Sequence, residues 1–90
     1  MNVLVTGASR GIGKGIALEF SRLGFNVAAC AFHNQAALNE LEDQVRLQGC
    51  NFFGRLCDVS DSKAVNVFWK EVVEQLGEID VLVNNAGIAS

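Results

Sequence analysis

The sequence is poor in features that would place it in several common functional classes. It has one histidine and three cysteines in 90 residues. Cys30, Cys50 and Cys57 are odd in number and widely spaced, so they match neither a zinc pattern nor a disulfide framework. They read as small buried apolar residues kept in a reducing compartment, which makes the cytoplasm the expected location. Ligation of a metal by the three is the alternative, weighed against by a single histidine, His33, and by spacing that fits no structural site. No basic cluster occurs and the formal net charge is −3, which argues against a nucleic-acid partner. No apolar run approaches the roughly 20 residues of a membrane span, and no basic stretch precedes an apolar one at the N-terminus. Neither a membrane anchor nor a secretory signal is therefore expected. Half the residues are apolar and 19% are charged, the composition of one small globular domain.

What is present centres on Val3 to Gly15, VLVTGASRGIGKG. Val3, Leu4 and Val5 form a short apolar run suited to a strand buried on both faces. Thr6 and Gly7 break it, and Gly11 and Gly13 follow within a short loop. Behind Gly13 the period changes: Ile12, Ile16, Ala17 and Phe20 recur at helical spacing, which predicts a helix with one buried face. The glycines thus fall at a strand-to-helix turn. The first amides of a helix lack intrahelical partners, and the helix dipole adds positive charge there. Glycine lets an anion approach without meeting a Cβ. The spacing Gly-x-x-x-Gly-x-Gly is neither the commoner dinucleotide fingerprint nor a Walker loop, which needs Lys-Ser or Lys-Thr after its last glycine. Two readings stand on these residues alone, a phosphate cradle and a tight structural turn.

The rest of the chain alternates strand and helix. A first helix is predicted over 12–23, closed by Gly24 in the left-handed conformation. Val27 to Ala31 predict a second strand. Asn34 caps a helix from Gln35 to Leu47 with Ala37, Leu38, Leu41, Val45 and Leu47 inward, stopped by Gly49. Phe52 to Leu56 predict the third strand. Ser60 or Asp61 caps a third helix, Ser62 to Leu76, whose inward face is Val65, Phe68, Trp69, Val72, Val73 and Leu76, ended by Gly77. Asp80 to Val83 begin the fourth strand. This order implies an α/β fold with parallel strands and right-handed crossovers, part of a doubly wound Rossmann-like sheet in the order 3-2-1-4. Ligands of such a sheet bind at the carboxyl ends of its strands. The loops Thr6–Gly13, Phe32–Asn34, Cys57–Ser60 and Asn84–Ser90 all fall there.

Three of these loops together resemble the cofactor half of the short-chain dehydrogenase/reductase family. The marks are Thr6-Gly7-Ala8-Ser9-Arg10-Gly11-Ile12-Gly13 after the first strand, Asp58-Val59 after the third and Asn84-Asn85-Ala86-Gly87 after the fourth. The wording is nearest to 3-oxoacyl-[acyl-carrier-protein] reductases and their relatives. The resemblance implies that Gly7, Gly11 and Gly13 surround a pyrophosphate, with Ser9 and Ile12 lining the turn. It implies that Asp58 accepts from the adenine amino group beside Val59, and that Asn85, Ala86 and Gly87 approach the adenosine ribose. Asp58 can equally be a capping carboxylate, and Asn84 and Asn85 can serve turn chemistry; Asn84 is read as structural. Cofactor choice turns on Cys30 to Asn34, where no carboxylate is present to hold a ribose 2′-hydroxyl or repel a 2′-phosphate. Arg10 can pair with that phosphate, and the resemblance puts His33 and Asn34 where relatives often carry basic or polar residues. NADP is therefore favoured over NAD. Arg10 as a solvated loop cation and His33 as a surface histidine are the alternatives. Phe32 departs from the small residue common in relatives, and either stacks on adenine or fills the core.

Hydride transfer in that family needs a serine, a tyrosine acid and a lysine shortly after it. This chain contains no tyrosine, so no catalytic residue is assigned. It is read as a truncated N-terminal portion, residues 1–90, of a reductase of about 240–250 residues. The resemblance also implies a homo-oligomer for the full-length form. A stand-alone nucleotide-binding module and a non-functional fragment are the alternatives.

Overall fold

A computed structural model describes residues 1–8 and 11–85. The element order is β1 (Asn2–Thr6), α1 (Gly11–Arg22), β2 (Asn26–Ala31), α2 (Gln35–Leu47), β3 (Phe52–Leu56), α3 (Ser62–Leu76) and β4 (Val81–Val83). The four strands form one sheet in the order β3-β2-β1-β4, and every pairing is parallel. Val3 lies opposite Val27 and Val81, and Ala28 opposite Phe53. No described helix is long and apolar enough to cross a membrane.

Both faces of β1 and β2 are covered, which is why these two strands read as unbroken apolar runs. Alternate residues of each strand serve opposite faces. Val3, Val5, Val27, Ala29 and Ala31 pack with Leu38, Leu41 and Val45 of α2 and Ala17 of α1. Leu4, Ala28, Cys30 and Phe53 pack with Phe68 and Val72 of α3. Burying each Val, Leu or Phe side chain contributes about 1.5–3 kcal/mol. The alanines of β2 leave room for helices to lie close on both sides.

The helix boundaries follow their caps. Asn34 Oδ1 accepts from Ala37 N at 3.0 Å to start α2. Asp61, not Ser60, starts α3, accepting from Lys63 N and Ala64 N. Gly24, Gly49 and Gly77 follow the helices with φ of 90°, 83° and 95°, a region that favours glycine. Four inward assignments need correction. Ile12 is 64% exposed, because it falls in the first turn of α1, at the open rim of the sheet. Leu47 is 84% exposed, because it lies two residues past Val45 and so on the opposite side of the helix from the Leu38–Leu41–Val45 stripe. Trp69 and Val73 are exposed, at 41% and 40%, since α3 meets the sheet through Phe68 and Val72 and its flank faces no described element.

Candidate functional site

Parallel pairing brings the carboxyl ends of all four strands to one rim. The chain leaves β1 through Gly7 (φ 63°) and enters α1 at Gly11 (φ 62°). Both lie in the left-handed region, where a side chain would be strained. Ala8 between them is fully buried, and its N–H donates to the Cys30 carbonyl at 3.1 Å, tying the turn to the end of β2. The first turn of α1 carries no acidic side chain. Its open amides and dipole therefore face the rim uncompensated by a carboxylate of the helix itself.

Gly13 has a different task from the other two. A Cβ there would stand 2.2 Å from the Gly7 carbonyl oxygen and 2.6 Å from Asn85 Nδ2. Its bareness lets α1 lie directly against the turn that leaves β1. The sequence reading assigned this glycine to phosphate approach. The structure assigns it first to helix-on-turn packing, a role known for the last glycine of dinucleotide-binding turns.

The end of β4 is knotted to the same turn. Thr6 Oγ1 accepts from Asn85 N at 2.9 Å and donates to Asn84 Oδ1 at 3.2 Å. Asn85 Nδ2 donates to the Gly7 carbonyl at 3.2 Å. Asn84 is thus structural, as expected, and the side chain of Asn85 is partly so. Asn85 Oδ1 is buried with no hydrogen-bond partner among the described residues. A buried acceptor left open costs about 1–3 kcal/mol, so a donor at this point would be stabilising. Thr6, read from the sequence merely as a strand terminator, is the hub of the knot. Its hydroxyl at the end of an apolar strand was the available signal.

At the end of β3, Cys57 N donates to the Ala31 carbonyl at 2.9 Å, setting the Asp58 loop beside the exit of β2. Asp58 Oδ1 accepts from both Ser60 N and Ser60 Oγ, at 2.9 and 2.7 Å. These two bonds favour the ionised carboxylate and hold its pKa below the usual range. Neither bond engages Oδ2, and the residue as a whole is exposed. Val59 is 41% exposed. Phe32 is 67% exposed, which removes the core-filling alternative. Its ring meets the exposed His33 edge-on, with centroids 5.4 Å apart and planes at 87°. Asn34 spends Oδ1 on the α2 cap, leaving its amide nitrogen for any ligand. Ser9, Arg10, Ala86 and Gly87 lie outside the described residues.

Beside α3 a cavity of about 360 Å³ opens between Leu4 and Leu82 of the sheet and Phe68 and Trp69 of the helix. Thr6 and Asn84 form its polar end. Cys30 also lines it; burial pushes this thiol up to about 11, far from nucleophilic at neutral pH.

The opposite end of the sheet holds a polar network that the sequence reading missed. Asn2 Nδ2 donates to the Leu76 and Glu78 carbonyls, and its N–H donates to Asp80 Oδ2. Asn26 Nδ2 donates to Asn2 Oδ1, and Asn26 Oδ1 accepts from Asn51 N. The signal was an asparagine immediately ahead of each of three apolar runs, Asn2, Asn26 and Asn51.

These loops meet a known pattern. The model of the short chain dehydrogenase family matches residues 1–90. The chain belongs to the short chain dehydrogenase family. Among relatives, a 3-oxoacyl-[acyl-carrier-protein] reductase FabG of Staphylococcus aureus is 42% identical over 87 residues, 97% of this chain and 35% of that protein. A 2-dehydro-3-deoxy-D-gluconate 5-dehydrogenase of Pseudoalteromonas atlantica is 44% identical over 84 residues, 93% of this chain and 33% of that protein. Among solved structures, an alcohol dehydrogenase from the archaeon Thermococcus sibiricus, complexed with 5-hydroxy-NADP, superposes with a TM-score of 0.84 at 35% identity. That match covers 90% of this chain and 34% of the other. The chain thus spans about a third of the length of the dehydrogenases and reductases it matches. The expected sheet order and family are those found.

Proposed function

We propose that residues 1–90 form the N-terminal NADP(H)-binding portion of a cytoplasmic short-chain reductase. The whole protein would transfer hydride from NADPH to a carbonyl, of the 3-oxoacyl type named for the Staphylococcus aureus relative. The observation that carries this reading is the opening of α1: two left-handed glycines and an acid-free first turn at the rim shared by Asp58 and Asn85. The orphaned Asn85 Oδ1 supports it, since ribose hydroxyls are donors of the kind that site needs. When bound, the dinucleotide supplies the hydride.

In this reading Gly7, Gly11 and Gly13, with Ser9 and Ile12 beside them, hold the pyrophosphate on the helix amides. Asp58 Oδ2 accepts from the adenine amino group, with Val59 against the ring. Asn85, Ala86 and Gly87 contact the adenosine ribose. Arg10, His33 and the Asn34 amide hold the 2′-phosphate, and no carboxylate between Cys30 and Asn34 repels it. No described residue is placed in a catalytic role. The bare flank at Leu82 and Trp69 supports the view that this is one part of a larger domain. The full-length form would be a homo-oligomer. A stand-alone nucleotide-binding module is the second reading, favoured by the apolar clusters that already cover both faces of β1 and β2.

Titration of the chain with NADPH and NADH tests the proposal. Arg10→Ala is expected to weaken NADPH binding by about 1.5–3 kcal/mol, the scale of a charge-assisted hydrogen bond, and to leave NADH nearly untouched. Equal losses for both cofactors would remove the 2′-phosphate role of Arg10 and with it the preference for NADP.

A further inference from the structure

We propose that Arg46 and Arg55 form a latch that closes the outer edge of β3 against pairing with the same edge of a second copy of the chain. The inference is independent of the dinucleotide reading, because it concerns the side of β3 turned away from β2.

β3 stands at one end of the sheet and, among the described residues, pairs only with β2. Successive residues of a strand turn their backbone N–H and C=O to opposite sides. The Asn51 carbonyl accepts from Val27 N, and Cys57 N donates to the Ala31 carbonyl, so the odd-numbered residues of this stretch face β2. Phe52, Gly54 and Leu56 therefore turn their backbone groups outward. Such a row is a template for another strand. The segment FFGRL suits pairing with itself, being largely apolar, with one charge and no proline. Two copies laid antiparallel about Gly54 would set Phe52 opposite Leu56 and Phe53 opposite Arg55, with no like charges facing.

Two arginines occupy this row, one from each face of the sheet. Arg46 belongs to α2 on the first face, and its Nη2 donates to the Phe52 carbonyl at 3.3 Å. Its Nε donates to Glu42 Oε2 at 2.9 Å. Arg55 Nη1 donates to the Gly54 carbonyl at 3.0 Å. Its guanidinium carbon sits 4.3 Å from the centre of the Phe53 ring, and its Nε lies 3.7 Å from a carboxylate oxygen of Glu71 on α3. Two of the three outward carbonyls are thus taken. Gly54, the position without a side chain, is covered by the Phe52 ring, which a Cβ there would meet at 2.6 Å. An incoming strand must break both arginine bonds and displace two guanidinium groups that stay charged at any working pH. Glu42 and Glu71 hold those groups in place, so the obstruction is built before a second copy arrives.

Sedimentation velocity and amide hydrogen exchange on the parent chain and on Arg46→Ala/Arg55→Ala test the latch. The double variant is expected to self-associate about 10- to 100-fold more strongly, the scale of several exposed charged contacts removed together. Its net charge becomes two units more negative than the parent's −3, which by itself drives copies apart, so neutralisation does not account for a gain. The Phe52, Gly54 and Leu56 amides should exchange freely in the parent and become protected as the double variant associates. Arg22→Ala removes an exposed arginine paired with Glu19, away from this edge, and should behave as the parent does. Should loss of the Phe53 contact loosen the fold of the double variant by circular dichroism, Arg46→Ala alone still uncovers the Phe52 carbonyl and should give a smaller gain with protection of the same amides. A folded variant that associates no more than the parent overturns the proposal. So does an equal gain in Arg22→Ala, or association that leaves the Phe52, Gly54 and Leu56 amides exchanging freely.

Discussion

Substitution of Gly13 by alanine puts the packing of α1 to a direct test. The new Cβ would lie 2.2 Å from the Gly7 carbonyl oxygen, so helix or turn must retreat by about 1.2 Å to reach the 3.4 Å of ordinary contact. The same atom would stand 2.6 Å from Asn85 Nδ2, the donor to Gly7 O. Neither obstacle is the free end of a flexible chain: one is backbone and the other is held in the Thr6 knot. Overpacking of this kind costs about 1–3 kcal/mol. Losing the Asn85–Gly7 bond adds about 1 kcal/mol. Alanine's better helix propensity returns about 1 kcal/mol. The net expectation is a loss of about 2 kcal/mol, which lowers the urea midpoint by roughly 1–2 M at the slope typical of a small domain. Gly15 is the internal control, two residues along the same helix, with nothing within 4 Å of a Cβ built on it. Gly15→Ala should stabilise by about 0.5–1 kcal/mol. Urea melts followed by far-ultraviolet circular dichroism compare the two. If Gly13→Ala melts with the parent chain, or if both variants lose equally, the close approach of α1 to the turn is not what constrains residue 13.

Two further perturbations bear on other parts of the molecule. Cys30 should resist alkylation at pH 8 until the chain unfolds, because its thiol is buried and its pKa is pushed up to about 11 from 9.0. Below pH 9 the folded and unfolded chains both keep this proton and stability is unaffected. Between pH 9 and 11 the unfolded chain loses it first, so stability falls by up to about 1.4 kcal/mol per pH unit. Urea melts across that range should be less steeply pH-dependent in Cys30→Ala, and an identical slope would contradict the shift. Asn2→Ala removes two donated bonds to the α3–β4 connection and the acceptor of Asn26. At about 1 kcal/mol each it should cost about 2–3 kcal/mol. A loss below 0.5 kcal/mol by the same melts would show that the network contributes nothing.

The order of strands and helices was legible because each element carries its own period and its own punctuation. Gly24, Gly49 and Gly77 stop the helices where the sequence places them, and Asn34 and Asp61 start two of them through their side chains. Where the sequence misled, the cause was burial by distant parts of the chain. Trp69 and Val73 lie on the apolar stripe of α3, yet the sheet beneath is four strands wide and no described element covers that flank. Leu47 is apolar in the last position of its helix and simply meets solvent. The site was legible as a set of loops, since parallel topology alone collects them. Its internal wiring was not. That Gly13 answers to the Gly7 carbonyl, that Thr6 holds Asn84 and Asn85, and that Asp58 is fixed by Ser60 depend on contacts that spacing does not encode. The Asn2 network stayed hidden for the same reason, because it joins residues up to 78 positions apart.

The central claim is that the amides opening α1 hold the diphosphate of a nicotinamide nucleotide. Nitrogen–proton correlation spectra of the isotopically labelled chain during NADPH titration address it most directly. The account predicts saturable displacement of the backbone signals of Gly7, Gly11, Ile12 and Gly13 and of the Asn85 side-chain amide, with Asn2 and Asn26 at the far end unmoved. Displacements confined to the Asn2 end, or none at millimolar NADPH with the sheet signals intact, would contradict it.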